Sequence, residues 1–503
     1  MTEYILALDQ GTSSSRAIVY TTQGEVVARA QQDFEMSFPS DGWVEQNPEV
    51  LWETTLQSAR RALVAGDISA QNVKALGITN QRETTLVWDR MTGECLYNAI
   101  VWQDRRTAQR CNEMAANHSQ LDGLSQTIAE LIAAQTGLLI DPYFSSTKLA
   151  WILENVAGAA DRARAGELCF GTVDTFLIWR LTGGTKHLTD ATNASRTQLF
   201  DIHQQRWCPE LLNYYDIDPS LLPEVKDCAG DFGVTTENLL GAAIPITGVA
   251  GDQQAALVGQ ACFEPGQAKS TYGTGCFVIS NTGSEPVRSA QQLLSTVAYR
   301  LGGEVTYGLE GSIFVAGAAI KWLRDQLGLI RDTQDTSDAF QATGGDTGGV
   351  FVVPAFTGLG APHWQPDARG LITGLTLDTS REQIVTAFLQ AVVFQTEELL
   401  QAMSKDGATI SRLRVDGGMA VNDELCQFLA DLLDVVVERP KDVETTARGA
   451  AILAALGAGI FPDINQVAVM WACEKEFVPT MADADRARLV RGYSQAVASA
   501  VQG

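Results

Sequence analysis

Two stretches about half a chain apart share one grammar. LALDQGTSSSRAIVY, beginning at Leu6, and GQAKSTYGTGCFVIS, beginning at Gly266, each read as a strand, a Gly–Thr turn and a second strand. In the first, strands are expected over Ile5 to Asp9 and Ala17 to Tyr20. A third, Val26 to Gln31, follows a turn at Thr21 to Gly24. Connections this short make antiparallel neighbours rather than a βαβ opening. The repetition points to two halves of similar design, and a chain of 503 residues exceeds what one hydrophobic core supports. Near Gly251, IPITGVAGD ends a buried strand and QQAALVGQ begins a helix, so the boundary is placed between 253 and 262.

The remaining pattern is a mixed α/β chain. Helices are expected after Pro48, over Arg105 to Asn117, Arg381 to Met403 and Asn422 to Leu433, through ETTARGAAILAALGAG, and from Pro479 to Val501. Strands are expected over Val73 to Thr79, in a hairpin from Leu294 to Leu309, and in RLRVDGG. The net charge of −24 repels phosphate backbones and anionic membranes, which sets nucleic acid and membrane surfaces aside as partners. The nine cysteines include no CxxC pair and the four histidines lack ligand spacing, so free thiols in a reducing compartment are expected. The N-terminal stretch has no basic leader, and no apolar run approaches the roughly 20 residues that span a bilayer. A cytoplasmic protein is the expectation.

Several stretches carry residues suited to phosphate and polyol chemistry. In LDQGTSSSR, Asp9 at a strand end is an oxygen ligand suited to Mg²⁺. Gly11 permits close backbone approach, Thr12, Ser13 and Ser14 supply donors, and Arg16 adds charge. An ordinary polar turn would read the same way. TYGTGCF gives a second donor turn around Thr274, and together the two turns suit jaws closing on a polyphosphate. There is no GxxxxGK followed by Ser or Thr, and no glycine-rich dinucleotide fingerprint after the first strand. VDGG, ending at Gly418, offers bare backbone to an adenine ring, or simply a tight turn. NQRET sets Arg82 beside Glu83: a donor fork and an acceptor suit a neutral diol, and an exposed polar turn is the plainer alternative. Trp102 in VWQDRR reads as core or apolar wall, and Asp252 in GDQQ as helix cap or catalytic base.

YFSSTKLAWILEN, from Tyr143 to Asn155, resembles a signature segment of the FGGY carbohydrate kinases. LDQGTSSSR, NQRET, VWQDRR, DPYFSSTK, GDQQAALVGQ, TYGTGCF and VDGG also occur in the order found in the members of that family that phosphorylate glycerol. The resemblance implies two α/β domains of the actin and sugar-kinase (ribonuclease H-like) fold with the active site in the cleft between them. Residues 1–253 would bind polyol and phosphate, and residues 262–503 the nucleotide. It implies transfer of the ATP γ-phosphoryl group to the terminal hydroxyl of glycerol, with Mg²⁺, in a homo-oligomer (dimer or tetramer). By resemblance, Arg82, Glu83, Tyr143, Asp252 and Gln253 contact glycerol, with Asp252 the base, and Trp102 and Phe277 wall the carbon face. Thr12, Ser13, Ser14, Arg16, Thr274, Gly317, Gly418 and Asn422 would meet the nucleotide, and Asp9 the metal.

The chain departs from that pattern in places. Lys321 stands where many relatives carry a nucleotide-side glutamine. The loop Thr235 to Ala243, TTENLLGAA, has neither the glycine- and arginine-rich stretch of relatives inhibited by fructose 1,6-bisphosphate nor the histidine that others phosphorylate. Neither form of regulation is expected. The alternatives are an FGGY kinase for another polyol or ketose, and a non-catalytic nucleotide-gated scaffold. The joint presence of Arg82, Glu83 and Asp252 argues against the scaffold, because a fold alone does not supply catalysis.

Overall fold

The computed structural model describes residues 2–121, 123–365 and 367–502; Met1 and Gly503, the outer ends of the two expected domains, lie outside them. One sheet is built from β1 (Tyr4–Gln10), β2 (Ser14–Thr21), β3 (Val26–Asp33), β4 (Val73–Asn80) and β5 (Ile246–Gly251), in the order β5-β4-β1-β2-β3. The other uses β6 (Gln267–Tyr272), β7 (Cys276–Gly283), β8 (Leu294–Leu301), β9 (Glu304–Ile313), β10 (Arg412–Asp416), β11 (Val436–Pro440) and β12 (Cys473–Phe477), in the order β8-β9-β7-β6-β10-β11-β12. Without the outer strands β8 and β12, the two sheets have the same topology. A central antiparallel hairpin (β1–β2, β6–β7) is flanked by an antiparallel third strand on one side and two parallel strands on the other. The two Gly–Thr turns are therefore equivalent corners of two equivalent sheets. The expected hairpin ending at Leu309 runs four residues further, to Ile313, because β9 pairs with β7 as well as β8.

The helices that position the site are α1 (Pro48–Ala65), α2 (Ser145–Asn155), α3 (Ala191–Ser195), α4 (Asp252–Gly259), α5 (Gly317–Asp325), α6 (Gln334–Thr343), α7 (Arg381–Lys405), α8 (Asp423–Leu433) and α9 (Thr445–Gly457). Their starts are written locally. The Asn47 side chain accepts the Glu49 amide with Pro48 at the first position of α1, and Ser380 and Gln383 form a capping box on α7. β1 is apolar without alternation because both of its faces are covered. Leu6 and Leu8 pack with Leu51, Leu56 and Ala59 of α1, whereas Ile5 and Ala7 pack with Ala447, Ala450 and Ala454 of α9.

α9 comes from the second half of the chain and docks on the sheet of the first. Its partner in crossing is α4, whose Ala255, Leu257 and Val258 share a core with Ile452 and Leu453 of α9 and Ile279 of β7. The two helices meet backbone to backbone. A Cβ on Gly449 would lie 1.8 Å from the Ala255 carbonyl oxygen, and one on Gly259 would lie 1.9 Å from that of Thr445. Only glycine permits so close an approach.

Gly449→Ala is therefore expected to destabilise the protein even though alanine is the better helix former by about 1 kcal/mol, since overpacking against fixed backbone costs about 1–3 kcal/mol or more. Thermal unfolding should show a fall of several degrees relative to wild type and to Ala458→Ser, a change at an exposed position beyond the helix end. An unchanged or raised midpoint would contradict the interlock.

Candidate active site

β4 delivers the chain to Arg82 and Glu83 at its carboxyl end, and Glu83 adopts a left-handed conformation, φ 58°. Such a conformation is uncommon for a residue with a Cβ and is held by its surroundings. Arg82 makes a two-pronged pair with Glu310 of β9: Nη1 donates to Oε2 at 2.6 Å and Nη2 to Oε1 at 2.9 Å. Nη1 also donates to Gln254 Oε1 at 3.1 Å and Nη2 to the Tyr143 hydroxyl at 3.3 Å, while Nε lies 3.3 Å from Asp252 Oδ1. Arg196, just past α3, donates from Nε to Glu83 Oε1 at 2.7 Å and from Nη2 to Glu310 Oε1 at 3.1 Å. Asp252 opens α4, and its Oδ1 accepts the Gln253 amide at 2.7 Å. The side chain of Asp252 keeps 29% of its surface open, whereas Arg82, Glu83 and Glu310 keep 2% or less.

These charges set one another's protonation. Burial would raise Glu310, but the Arg196 and Arg82 guanidinium groups hold it down, to about 2. Burial raises Glu83 against the opposing pull of Arg82 and Arg196, and raises Asp252 against Arg82 and Lys269. Lys269, wholly buried on β6, is lowered by burial and supported by Asp416 and Asp252. Its ammonium donates to Gln253 Oε1, and to Thr271 Oγ1 at 2.9 Å. Asp9, at the end of β1, is pushed up to about 6, mainly by burial and further by Asp252, with Arg16 opposing.

Trp102 joins this corner to both hairpins. Its ring meets Tyr143 edge-on at 5.6 Å and Phe277 at 6.4 Å, and its Nε1 donates to Thr12 Oγ1 at 2.9 Å. Phe277 is the second residue of β7, so the indole links the first Gly–Thr turn to the strand that leaves the second. The Thr12 backbone carbonyl accepts from Gln46 Nε2 at 2.6 Å, and Ser13 is exposed, with Ser14 partly so. Arg16 is paired with Glu444, just before α9, and donates to Gln31 Oε1 at 3.1 Å.

Beyond the second turn lies a cleft of about 700 Å³ lined by Thr274, Gly317, Lys321, Gly418 and Asn422, with Ile320, Trp322 and Ser337 among its other walls. The Ala316 and Ala318 amides both donate to the Thr274 carbonyl at 3.0 Å. A Cβ on Gly317 would fall 2.5 Å from the Gly273 carbonyl oxygen, so α5 begins hard against the turn. Asn422 has a structural task as well: its side-chain oxygen caps α8 through the Leu425 amide at 2.8 Å, and its Nδ2 donates to Thr336 Oγ1 at 3.1 Å.

The structure thus gathers Arg82, Glu83, Trp102, Tyr143, Asp252, Gln253 and Phe277 at one corner, and Thr274, Gly317, Lys321, Gly418 and Asn422 around one cleft. Arg196, Lys269 and Glu310, which the sequence analysis passed over, lie inside the first group. Their one signal was a lone charge within strands or turns otherwise made of small and apolar residues, as in YGLEGSI and QAKSTY.

Residues 4–259 match the N-terminal domain, and residues 268–458 the C-terminal domain, of the FGGY family of carbohydrate kinases. The chain is 58% identical over 497 residues to glycerol kinase 1 of Pseudomonas aeruginosa and 57% identical over 499 residues to glycerol kinase of Ectopseudomonas mendocina, covering 99% of each chain in both cases. The crystal structure of Plasmodium falciparum glycerol kinase with ADP superposes with a TM-score of 0.92 at 35% identity, over 99% of this chain and 98% of that one. Gluconate kinase from Lactobacillus acidophilus shares the fold, with a TM-score of 0.87 at 19% identity over 99% of this chain and 97% of that one. With both halves matched and relatives aligned end to end, the chain belongs to the FGGY family of carbohydrate kinases.

Proposed function

We propose that this protein phosphorylates glycerol at a terminal hydroxyl with ATP as donor, giving sn-glycerol 3-phosphate and ADP. The observation that carries the reading is the Trp102 junction: a corner of Arg82, Glu83 and Asp252 beside an aromatic wall that reaches Thr12 in one donor turn and Phe277 in the strand that leaves the other. Relatives named glycerol kinase at 52–58% identity support the choice of acceptor.

In this reading the carbon face of glycerol lies against Trp102 and Phe277. Arg82 exchanges its long Nη2 contact with the Tyr143 hydroxyl, 3.3 Å, for a hydroxyl oxygen of glycerol, and Glu83 accepts a hydroxyl proton on the oxygen that Arg196 leaves free. Asp252 orients the attacking hydroxyl and takes its proton as the new O–P bond forms and the bond from the γ-phosphorus to the ADP oxygen breaks. Burial makes Asp252 a better base than an exposed aspartate, and Arg82 Nε holds it in place. ADP and the donor phosphates occupy the cleft lined by Thr274, Gly317, Lys321, Gly418 and Asn422, with Thr12, Ser13, Ser14 and Arg16 on the opposite turn. Lys321 adds a positive charge on the wall of that cleft.

Mg²⁺ fits the same arrangement through Asp9, a carboxylate that burial makes costly to charge and that a nearby cation would relieve. Among the described residues, no three His, Cys, Asp or Glu side chains form a cage, so the ion would arrive with the phosphates and offset their charge. Among the described residues, no helix is long and apolar enough to cross a membrane. A cytoplasmic homo-oligomer, dimer or tetramer, is the form that the family resemblance supports.

Glycerol-dependent ADP release from Mg-ATP should be robust in the wild type and reduced about 10²–10⁴-fold in kcat by Asp252→Asn, with nucleotide affinity retained. A folded, ATP-binding wild type that turns over xylulose and not glycerol would move the acceptor to a ketose. The loop Thr235 to Ala243 offers no arginine or lysine to a bisphosphate. Fructose 1,6-bisphosphate up to millimolar concentration should leave steady-state turnover unchanged, and inhibition at micromolar effector would refute this.

A further inference from the structure

Arg82 and Glu83 are each gripped from behind by a residue given no role above. Glu310, fully buried in β9 of the second sheet, has both carboxylate oxygens occupied by guanidinium groups: Oε2 by Arg82, and Oε1 by Arg82 and Arg196. Arg196, fully buried after α3 of the first half, reaches Glu83 with Nε at 2.7 Å and lies over the rings of Tyr143 and Phe144 at 5.6 and 5.5 Å. Its Nη1 has no hydrogen-bond partner among the described residues. A buried unpaired donor carries a cost, so the placement of this guanidinium answers to more than its own hydrogen bonding.

We infer that Arg196 and Glu310 are positioning residues for acceptor recognition. Glu310 clamps both guanidinium planes so that Arg82 keeps one orientation, and Arg196 pins one oxygen of Glu83 so that the other remains for an acceptor hydroxyl. The inference rests on the proposed function and deepens it.

The arrangement alternates in sign: Glu83, Arg196, Glu310, Arg82. Each member is neutralised by neighbours, which is the condition for burying charge without prohibitive loss. A planar arginine fork fixes direction as well as charge, and lysine does not reproduce it. The network also crosses the chain, since Glu310 stands 228 residues after Arg82. The acceptor corner in the first half is thereby registered against a strand of the second.

The electrostatics provide a readout that a loss of packing would not produce. The charged and titratable groups facing Glu83 are Arg82, Arg196, Glu310, Tyr143 and Lys148. Arg196 favours ionised Glu83, and Glu310 opposes it. Removing Arg196 should move the acid limb of kcat/KM for glycerol to higher pH, and removing the Glu310 charge should move it to lower pH.

The test is kcat/KM for glycerol at saturating Mg-ATP from pH 5 to 9 in wild type, Arg196→Met, Arg196→Lys and the isosteric Glu310→Gln, with thermal unfolding and ADP binding as folding controls. Glycerol KM should rise about tenfold or more in all three variants while the ATP KM stays within about twofold. The acid limb should shift up in Arg196→Met, shift down in Glu310→Gln and stay near wild type in Arg196→Lys. Should Arg196→Met fail to fold, a limb unmoved in Arg196→Lys and lowered in Glu310→Gln still decides. Unchanged glycerol KM, or limbs that move together or not at all, would overturn the inference while wild-type turnover leaves the functional reading standing. Absence of glycerol turnover in the wild type would instead overturn the functional reading itself.

Discussion

The contact on which the rest depends is the crossing of α4 and α9. Gly259 and Gly449 bring two helix backbones together where no side chain fits, and α9 then lies across β1, β4 and β5 with its alanine face down. α4 begins at Asp252 and α9 follows directly on Glu444, the partner of Arg16. Asp252 and the partner of Arg16 therefore sit at or beside the starts of helices whose separation is fixed by backbone contact. Small residues in such an interface do little for transfer free energy; they set distance. A packed interface of this kind has discrete arrangements rather than a continuum, so the residues mounted on it inherit its precision.

On that frame the protein buries charge at high density. Arg82, Glu83, Arg196, Lys269 and Glu310 are all nearly or wholly inaccessible, and among the carboxylates of that corner Asp252 alone is partly exposed. Taking ions out of water is repaid only by good geometry and complete pairing, and breaking one buried pair typically costs about 3–5 kcal/mol. Stability by itself would be served as well by apolar residues of similar volume. The network makes sense as preorganisation: a polyol has no charge by which to be gripped, so its hydroxyls must meet donors and acceptors whose directions are already set.

The sequence was legible where structure is local. β1 to β3, the turns at Thr12 and Thr274, α1 after Pro48, α7 after its capping box and the helix of ETTARGAAILAALGAG all announce themselves through caps, periodicity or glycine placement. The repeated Gly–Thr hairpin pointed to two halves of similar design but not to their strand order, because a tight turn between two buried strands reports on its neighbours alone. What was not legible is what distant segments do together. Glu310 reads as an isolated acid in a strand until Arg82 and Arg196 are set beside it. Arg16, expected at the nucleotide, has Glu444 as its partner 428 residues away. Asn422, expected there too, lines the cleft while capping α8. The destination of α9, a helix read correctly as a helix, was equally hidden: its small-residue face fits a sheet made of the other half of the chain.

One strand ties the two ends of the site together. β9 carries Glu310 in the corner of Arg82, Glu83 and Asp252, ends at Ile313, and within four residues delivers Gly317 at the start of α5, against the Gly273 carbonyl and on the wall of the 700 Å³ cleft. Six residues lie between Glu310 and Gly317. The Arg82–Glu310 fork anchors this connector at one end, and the amides of Ala316 and Ala318 on the Thr274 carbonyl anchor it at the other. The two ends of the candidate site are thus joined by one short segment held by hydrogen bonds at both ends. Phosphoryl transfer through a loose transition state gains little from covalent help and much from in-line placement. A single connector hydrogen-bonded at each end of the candidate site suits that demand.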